Sequence, residues 1–158
     1  MNSARPQIRF DDLPALTAAV SEEFSPWGPP LKITQELISA FARLTHDEFW
    51  LHVDPERARR DSPTGTTIAH GFLVLSLAPA LKTPSPIDIA GFRRAFNAGL
   101  DRVRFVRPVP VDCEIIGRMR LAEARAGTRG TRVKFEVQVQ VVGDPGPALA
   151  YELLVAYE

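Results

Sequence analysis

The chain has a single cysteine, Cys113, among its 158 residues, which excludes an internal disulfide framework and suits a reducing compartment. It also lacks net charge, because nineteen Lys and Arg balance nineteen Asp and Glu. The broad positive field that non-specific nucleic-acid binding needs is therefore missing, and no nucleic-acid partner is expected. No apolar run approaches the roughly 20 residues of a membrane span. The longest, Ile68 to Leu81, is interrupted by His70, Gly71, Ser76 and Pro79. The start, Met1 to Phe10, is polar and has no apolar signal-peptide core. Together these absences predict a cytoplasmic protein with no membrane contact.

What is present fits one globular unit. An apolar content of 45% is ordinary for a soluble domain and sufficient for a sizeable core at this length. No Gly/Ser linker and no internal repeat divide the chain, so residues 1–158 are read as one domain, with 1–30 an N-terminal helix and turn-rich lead-in. Phe10, Leu13, Leu16 and Val20 recur at helical spacing. Pro26 to Pro30 is a break, and Leu31 to Ile33 is extended. Thr34 is a good N-cap, with Gln35 and Glu36 in the first turn of a helix whose stripe of Leu37, Ile38, Phe41 and Leu44 should face the core. Asp54-Pro55-Glu56 opens a short basic helix through Arg60. Ile68 to about Leu81 is apolar nearly all round, as a helix buried on several sides would be.

From Ile89 onward the pattern changes to strand. Val133, Phe135, Val137, Val139 and Val141 alternate with Lys134, Glu136, Gln138 and Gln140, one set for each face of a sheet. Leu100 to Val106, Glu114 to Leu121 and Ala148 to Tyr157 are further strands, the last following a turn at Gly143 to Gly146. The expected class is α+β, a long antiparallel sheet wrapped around one buried helix.

The chemistry concentrates between Thr45 and Leu73. Asp47 and His52 bracket a short segment between one helix and the N-cap of the next, so both side chains can enter one pocket. A carboxylate and an imidazole sharing a water have the composition of a general acid/base pair. Gly71 leaves a backbone N–H open to a ligand oxygen near a helix start, suited to an enolate or thioester oxyanion. Base, acid and oxyanion donor are the parts needed to add water beside a thioester carbonyl.

The run Thr45-His46-Asp47-Glu48-Phe49-Trp50-Leu51-His52-Val53-Asp54-Pro55-Glu56-Arg57-Ala58, followed by Gly65-Thr66-Thr67-Ile68-Ala69-His70-Gly71-Phe72-Leu73, resembles the signature of the MaoC-like (R)-specific enoyl-CoA hydratases, in particular the NodN-like subgroup. The likeness continues through Phe96 to Phe105 and Pro108 to Val111, and so covers roughly residues 30–158. It implies a hotdog fold, usually a homodimer, that handles an acyl-CoA thioester without metal or redox cofactor, coenzyme A being part of the substrate. It implies that Asp47 and His52 form the catalytic pair, activating water for attack on C3 of a trans-2-enoyl thioester, and that Gly71 N–H polarises the carbonyl. The chain departs from the family at Phe49, where Asn or Gln is usual, and at His46, where Gly is more usual. Phe49 favours a rival reading as an acyl-thioester binder without turnover. Thioester hydrolysis is a further alternative that hotdog folds support.

Each of these residues also has a plainer reading. Asp47 alone would be a solvated loop carboxylate and His52 a satisfied structural histidine. His70 is expected to orient the helix entry or border the substrate, and Trp50 and Phe72 to pack or wall the pocket. A metal site from His46, Asp47, His52 and Asp54 is not expected, since the spacings are not those of zinc clusters. Cys113 reads as a buried thiol. Arg57, Arg59 and Arg60 read as a solvated helix face; these, or Arg102 and Arg104, are candidates for holding coenzyme A phosphates.

Overall fold

The computed structural model describes residues 5–158, so the first four residues of the expected domain, and of the polar start, lie outside the described residues. In chain order the elements are β1 (Gln7–Arg9), α1 (Leu13–Ala18), β2 (Leu31–Lys32), α2 (Gln35–Thr45), α3 (Trp50–Val53), α4 (Pro55–Asp61), α5 (Gly71–Ser76), β3 (Asp88–Ala90), β4 (Ala95–Phe105), β5 (Glu114–Ala126), β6 (Thr131–Val141) and β7 (Leu149–Tyr157). Five strands form one antiparallel sheet in the order β2-β5-β6-β7-β4. The short β1 and β3 pair in parallel beside it. The α+β sheet wrapped around a helix is thus present.

Period-two alternation makes the sheet one-sided. On β6, Thr131, Val133, Phe135, Val137, Val139 and Val141 are buried while their neighbours reach solvent. The outward set is tied across strands: Arg120 to Glu136 at 2.6 Å, and Lys134 to Glu152 at 2.9 Å. The inward set packs on Leu73 and Val74 of α5 and Ile38 of α2 in a single core with Ile33, Ile115 and Leu121. Ile33, Ile38 and Ile115 are fully enclosed, each contributing about 1.5–3 kcal/mol through removal from water.

Local capping sets the helix starts as the sequence predicts. Thr34 Oγ1 accepts from Leu37 N–H, and Asp54 Oδ1 accepts from Arg57 N–H ahead of Pro55. Three expectations are corrected. Leu44 is 77% exposed: the buried direction of α2 runs through Ile38 and Ala42, and Leu44 lies roughly 120° or more around the axis from both. The helix expected over Ile68 to Leu81 is confined to Gly71–Ser76, continuing only as turns, because Pro79 lacks an N–H and disfavours helical backbone at Ala78. Phe72 on that helix is 67% exposed, not core. α2 itself ends on His46 at φ 59°, the left-handed position that usually takes glycine.

Candidate active site

His52 sits on α3, a helix of a single turn. One turn is too short to hold itself, since nucleating a helix is unfavourable and its first and last backbone groups have no internal partners. Its N-cap, Phe49, offers no side-chain hydrogen bond. The turn is held from outside instead. Ile68 N–H donates to Leu51 O at 3.1 Å, and His52 Nδ1–H donates to Ile68 O at 2.8 Å. Because a carbonyl can only accept, this bond fixes the proton on Nδ1 and leaves Nε2 with a free lone pair.

Asp47 follows the left-handed residue His46, in the loop that leaves α2, and its side chain is 58% exposed. His70 is only 3% exposed. Its ring stacks on His52 with centroids 3.7 Å apart and 23° between planes, and is tilted against Phe41 at 5.2 Å. His70 Nε2–H donates to the carbonyl of Asp47 at 2.9 Å, and Nε2 lies 4.0 Å from Asp47 Oδ2. Its Nδ1 is buried without a hydrogen-bond partner. One donor atom each from Asp47, His52 and His70 lie within 4.8 Å of one another. The sequence-predicted pair is therefore brought together, with His70 as a third member that touches both.

Electrostatics favour the neutral form of the His52 imidazole. Burial pushes its imidazole below the usual value, opposed by the carbonyl of Ile68, and the neighbouring His70 lowers it while the Asp47 carboxylate raises it. The Cys113 thiol is half-buried and pushed by burial up to about 11, which leaves it protonated and inert as a nucleophile.

Gly71 is the first residue of α5, directly after His70, so its N–H has no acceptor within the helix. A Cβ placed there would lie 2.7 Å from Phe105 Cδ1 on the neighbouring edge strand. Gly71 borders a cleft of about 300 Å³ that Phe105, Arg107, Val109 and Leu149 also line. Further along α5, Leu75, Met119, Tyr151 and Leu153 line a second, mostly apolar cleft of about 420 Å³.

The remaining candidates lie around this centre. Phe49 is 54% exposed, its ring 5.4 Å from that of Trp50, and the Arg57 guanidinium covers the other ring at 4.6 Å. Arg57 also pairs with Asp61 one turn on, and Arg102, 80% exposed, pairs with Glu152. Sequence reasoning missed Gln35 and Thr67. Gln35 Nε2 donates to His52 O at 2.7 Å, and its Oε1 accepts from the fully buried Thr67 hydroxyl at 2.5 Å. No spacing rule links residues 32 positions apart, and Gln35 in a first helical turn carries no mark of its role.

Comparison with known proteins places the chain among relatives. Residues 21–143 match the family described as "MaoC like domain". The chain is 39% identical over 151 residues to "3-hydroxyacyl-thioester dehydratase Z" of Mycobacterium tuberculosis, covering 94% of this chain and 97% of that one. It is 41% identical over 120 residues to "Nodulation protein N" of Rhizobium leguminosarum bv. viciae, covering 75% and 74%. The fold matches the solved "(R)-hydratase from A. caviae involved in PHA biosynthesis" with a TM-score of 0.68 at 22% identity, over 87% of this chain and 98% of that one.

Proposed function

The chain belongs to the MaoC-like domain family, and from that premise we propose that it catalyses the reversible hydration of a trans-2-enoyl thioester, on coenzyme A or a carrier protein, to the (R)-3-hydroxyacyl thioester. The observation that carries the reading is the Nδ1–H bond from His52 to Ile68, which leaves Nε2 as a base beside the Asp47 carboxylate. The name of the mycobacterial relative, a 3-hydroxyacyl-thioester dehydratase, supports it.

Asp47 and His52 share acid and base duties. Water held between them gives one proton to the pair as its oxygen bonds C3. The C2=C3 electron pair moves to the thioester oxygen, which Gly71 N–H stabilises as an enolate. Collapse of the enolate takes the proton back at C2, so that H and OH from one water are added in total. Dehydration runs through the same groups in reverse. Coenzyme A enters as part of the substrate, and the reaction calls on no metal or redox cofactor because both proton transfers run through side chains. In this reading His70, Phe49 and Trp50 border the acyl thioester, and a cytoplasmic location suits the lone thiol.

Incubation with crotonyl-CoA and longer trans-2-enoyl-CoAs, following loss of the enoyl absorbance, tests the reaction class. Release of free thiol from saturated acyl-CoA would transfer the site to thioester hydrolysis; tight binding with no turnover would make it a binder. The pH profile gives a further check. Because burial lowers the His52 value, kcat/KM should hold as pH falls past the ordinary imidazole value of about 6.5 and decline only below it. The same shift contributes folding stability that is fully present above about 6.5 and lost as pH falls through the folded value. An acid limb centred above 6.5 would refute the assignment of His52 as the base.

We further propose a homodimer joined through β4. This strand lies at the sheet edge and exposes Phe96, Leu100 and Phe105, with Phe72 stacked edge-on against Phe105 at 5.5 Å. An edge strand of eleven residues that exposes these apolar side chains invites pairing with a second copy. Sedimentation should find two chains per particle; a monomer at micromolar concentration would overturn the proposal.

A further inference from the structure

We propose that Gln35 is a positioning residue for His52, acting with Thr67 as a clamp that holds the imidazole in its base-competent tautomer. This rests on the reading of His52 as the base, and deepens it by naming what orients that base.

Two segments meet at the catalytic turn. One is α3 with Leu51 and His52; the other is the approach to α5, Thr67 and Ile68. They exchange the Ile68 N–H to Leu51 O bond and the His52 Nδ1–H to Ile68 O bond. The Gln35 amide closes the arrangement from a third element, α2. Its Nε2 donates to His52 O, a carbonyl at the end of a single helical turn that has no acceptor role inside that turn. Its Oε1 accepts from Thr67, whose side chain is entirely enclosed. Since His52 O can only accept, the orientation of the amide is fixed. A further bond from Nε2 to Ser39 Oγ at 3.2 Å anchors it to its own helix.

One side chain thus joins the backbone of the base to the residue preceding the base's hydrogen-bond acceptor. Releasing it lets α3 and the Thr67-Ile68 segment move relative to each other. The Nδ1–H···O bond then lengthens and the imidazole is freed to exchange tautomers, which puts the proton on the nitrogen that must accept one. Thr67→Val keeps the volume and drops one of the two bonds; Gln35→Met drops both.

The chain contains three histidines, His46, His52 and His70, so ¹H–¹⁵N imidazole correlations can be assigned by single substitutions. In the full chain, His52 should report a single Nδ1–H tautomer. Gln35→Met should show a tautomer mixture or loss of the Nδ1–H signal, with kcat about 10-fold lower and KM changed by no more than about twofold, as expected of a displaced catalytic group. Thr67→Val should lie between the two. If both variants keep the wild-type tautomer and kcat and lose only thermal stability, the clamp is merely structural and the proposal falls. If the wild type turns over no enoyl thioester while the variants still lose the tautomer, the clamp stands and the hydratase reading fails.

Discussion

Asp47→Asn and His52→Ala should each lower kcat for enoyl-thioester hydration by about 100-fold or more, within the range that a positioned acid or base contributes. That factor corresponds to about 2.7 kcal/mol of transition-state stabilisation. Asp47→Asn is the cleaner variant. The contact that anchors this loop is the backbone carbonyl of Asp47, which accepts from His70, and the substitution leaves it in place. His52→Ala also removes the donor to Ile68 O, which costs about 1 kcal/mol of stability, so thermal unfolding must accompany the rate. The two effects should not add when combined, because the proposed mechanism has both groups acting on one water. Wild-type turnover in either folded variant would remove that residue from the chemistry.

Gly71→Ala should be the next most damaging change, and through packing. The new methyl would lie 2.7, 2.9 and 3.0 Å from Cδ1, Cε1 and Cγ of Phe105. Contact with Cγ, at the root of the ring, means that rotating the ring does not clear it. Overpacking of this kind costs about 1–3 kcal/mol. Whichever side gives way, the N–H of residue 71 moves relative to the Asp47–His52 pair, and kcat should fall about 10-fold or more. Phe105→Ala added to Gly71→Ala removes the obstructing ring and should recover part of both losses. Full stability and activity in Gly71→Ala alone would show that the close approach has no consequence.

Much of this geometry was legible in the residues. Thr34 and Asp54-Pro55 announce helix starts because capping is local chemistry, settled within three residues. The alternation from Val133 to Val141 announces a one-sided strand because the pleat has a period of two. The proximity of Asp47 and His52 was legible because the segment between them is short. What escaped depends on contacts distant in sequence. The β1–β3 pair joins Gln7 to Asp88, and the Gln35–Thr67 bond spans three elements. Leu44 was misplaced because a hydrophobic stripe fixes a helix face only to within a quadrant, and Ile38 and Ala42 decide it. α5 stops short of Leu81 because Pro79 ends the apolar run and does not merely interrupt it.

The position of β4 has a consequence for how the molecule is made. Its ladder is with β7, the last nine residues of the sheet, and Ala95 pairs with Tyr157. During synthesis β5 and β6 can zip together as soon as they emerge, through a short turn. β4, already out of the ribosome, must wait about fifty residues for its partner. Throughout that interval Phe96, Leu100 and Phe105 sit on an unpaired strand, the kind of segment that associates wrongly when left open. The core facing α5 closes only when Leu149, Tyr151 and Val155 arrive, so the sheet behind Asp47 and His52 stays incomplete until β7 emerges.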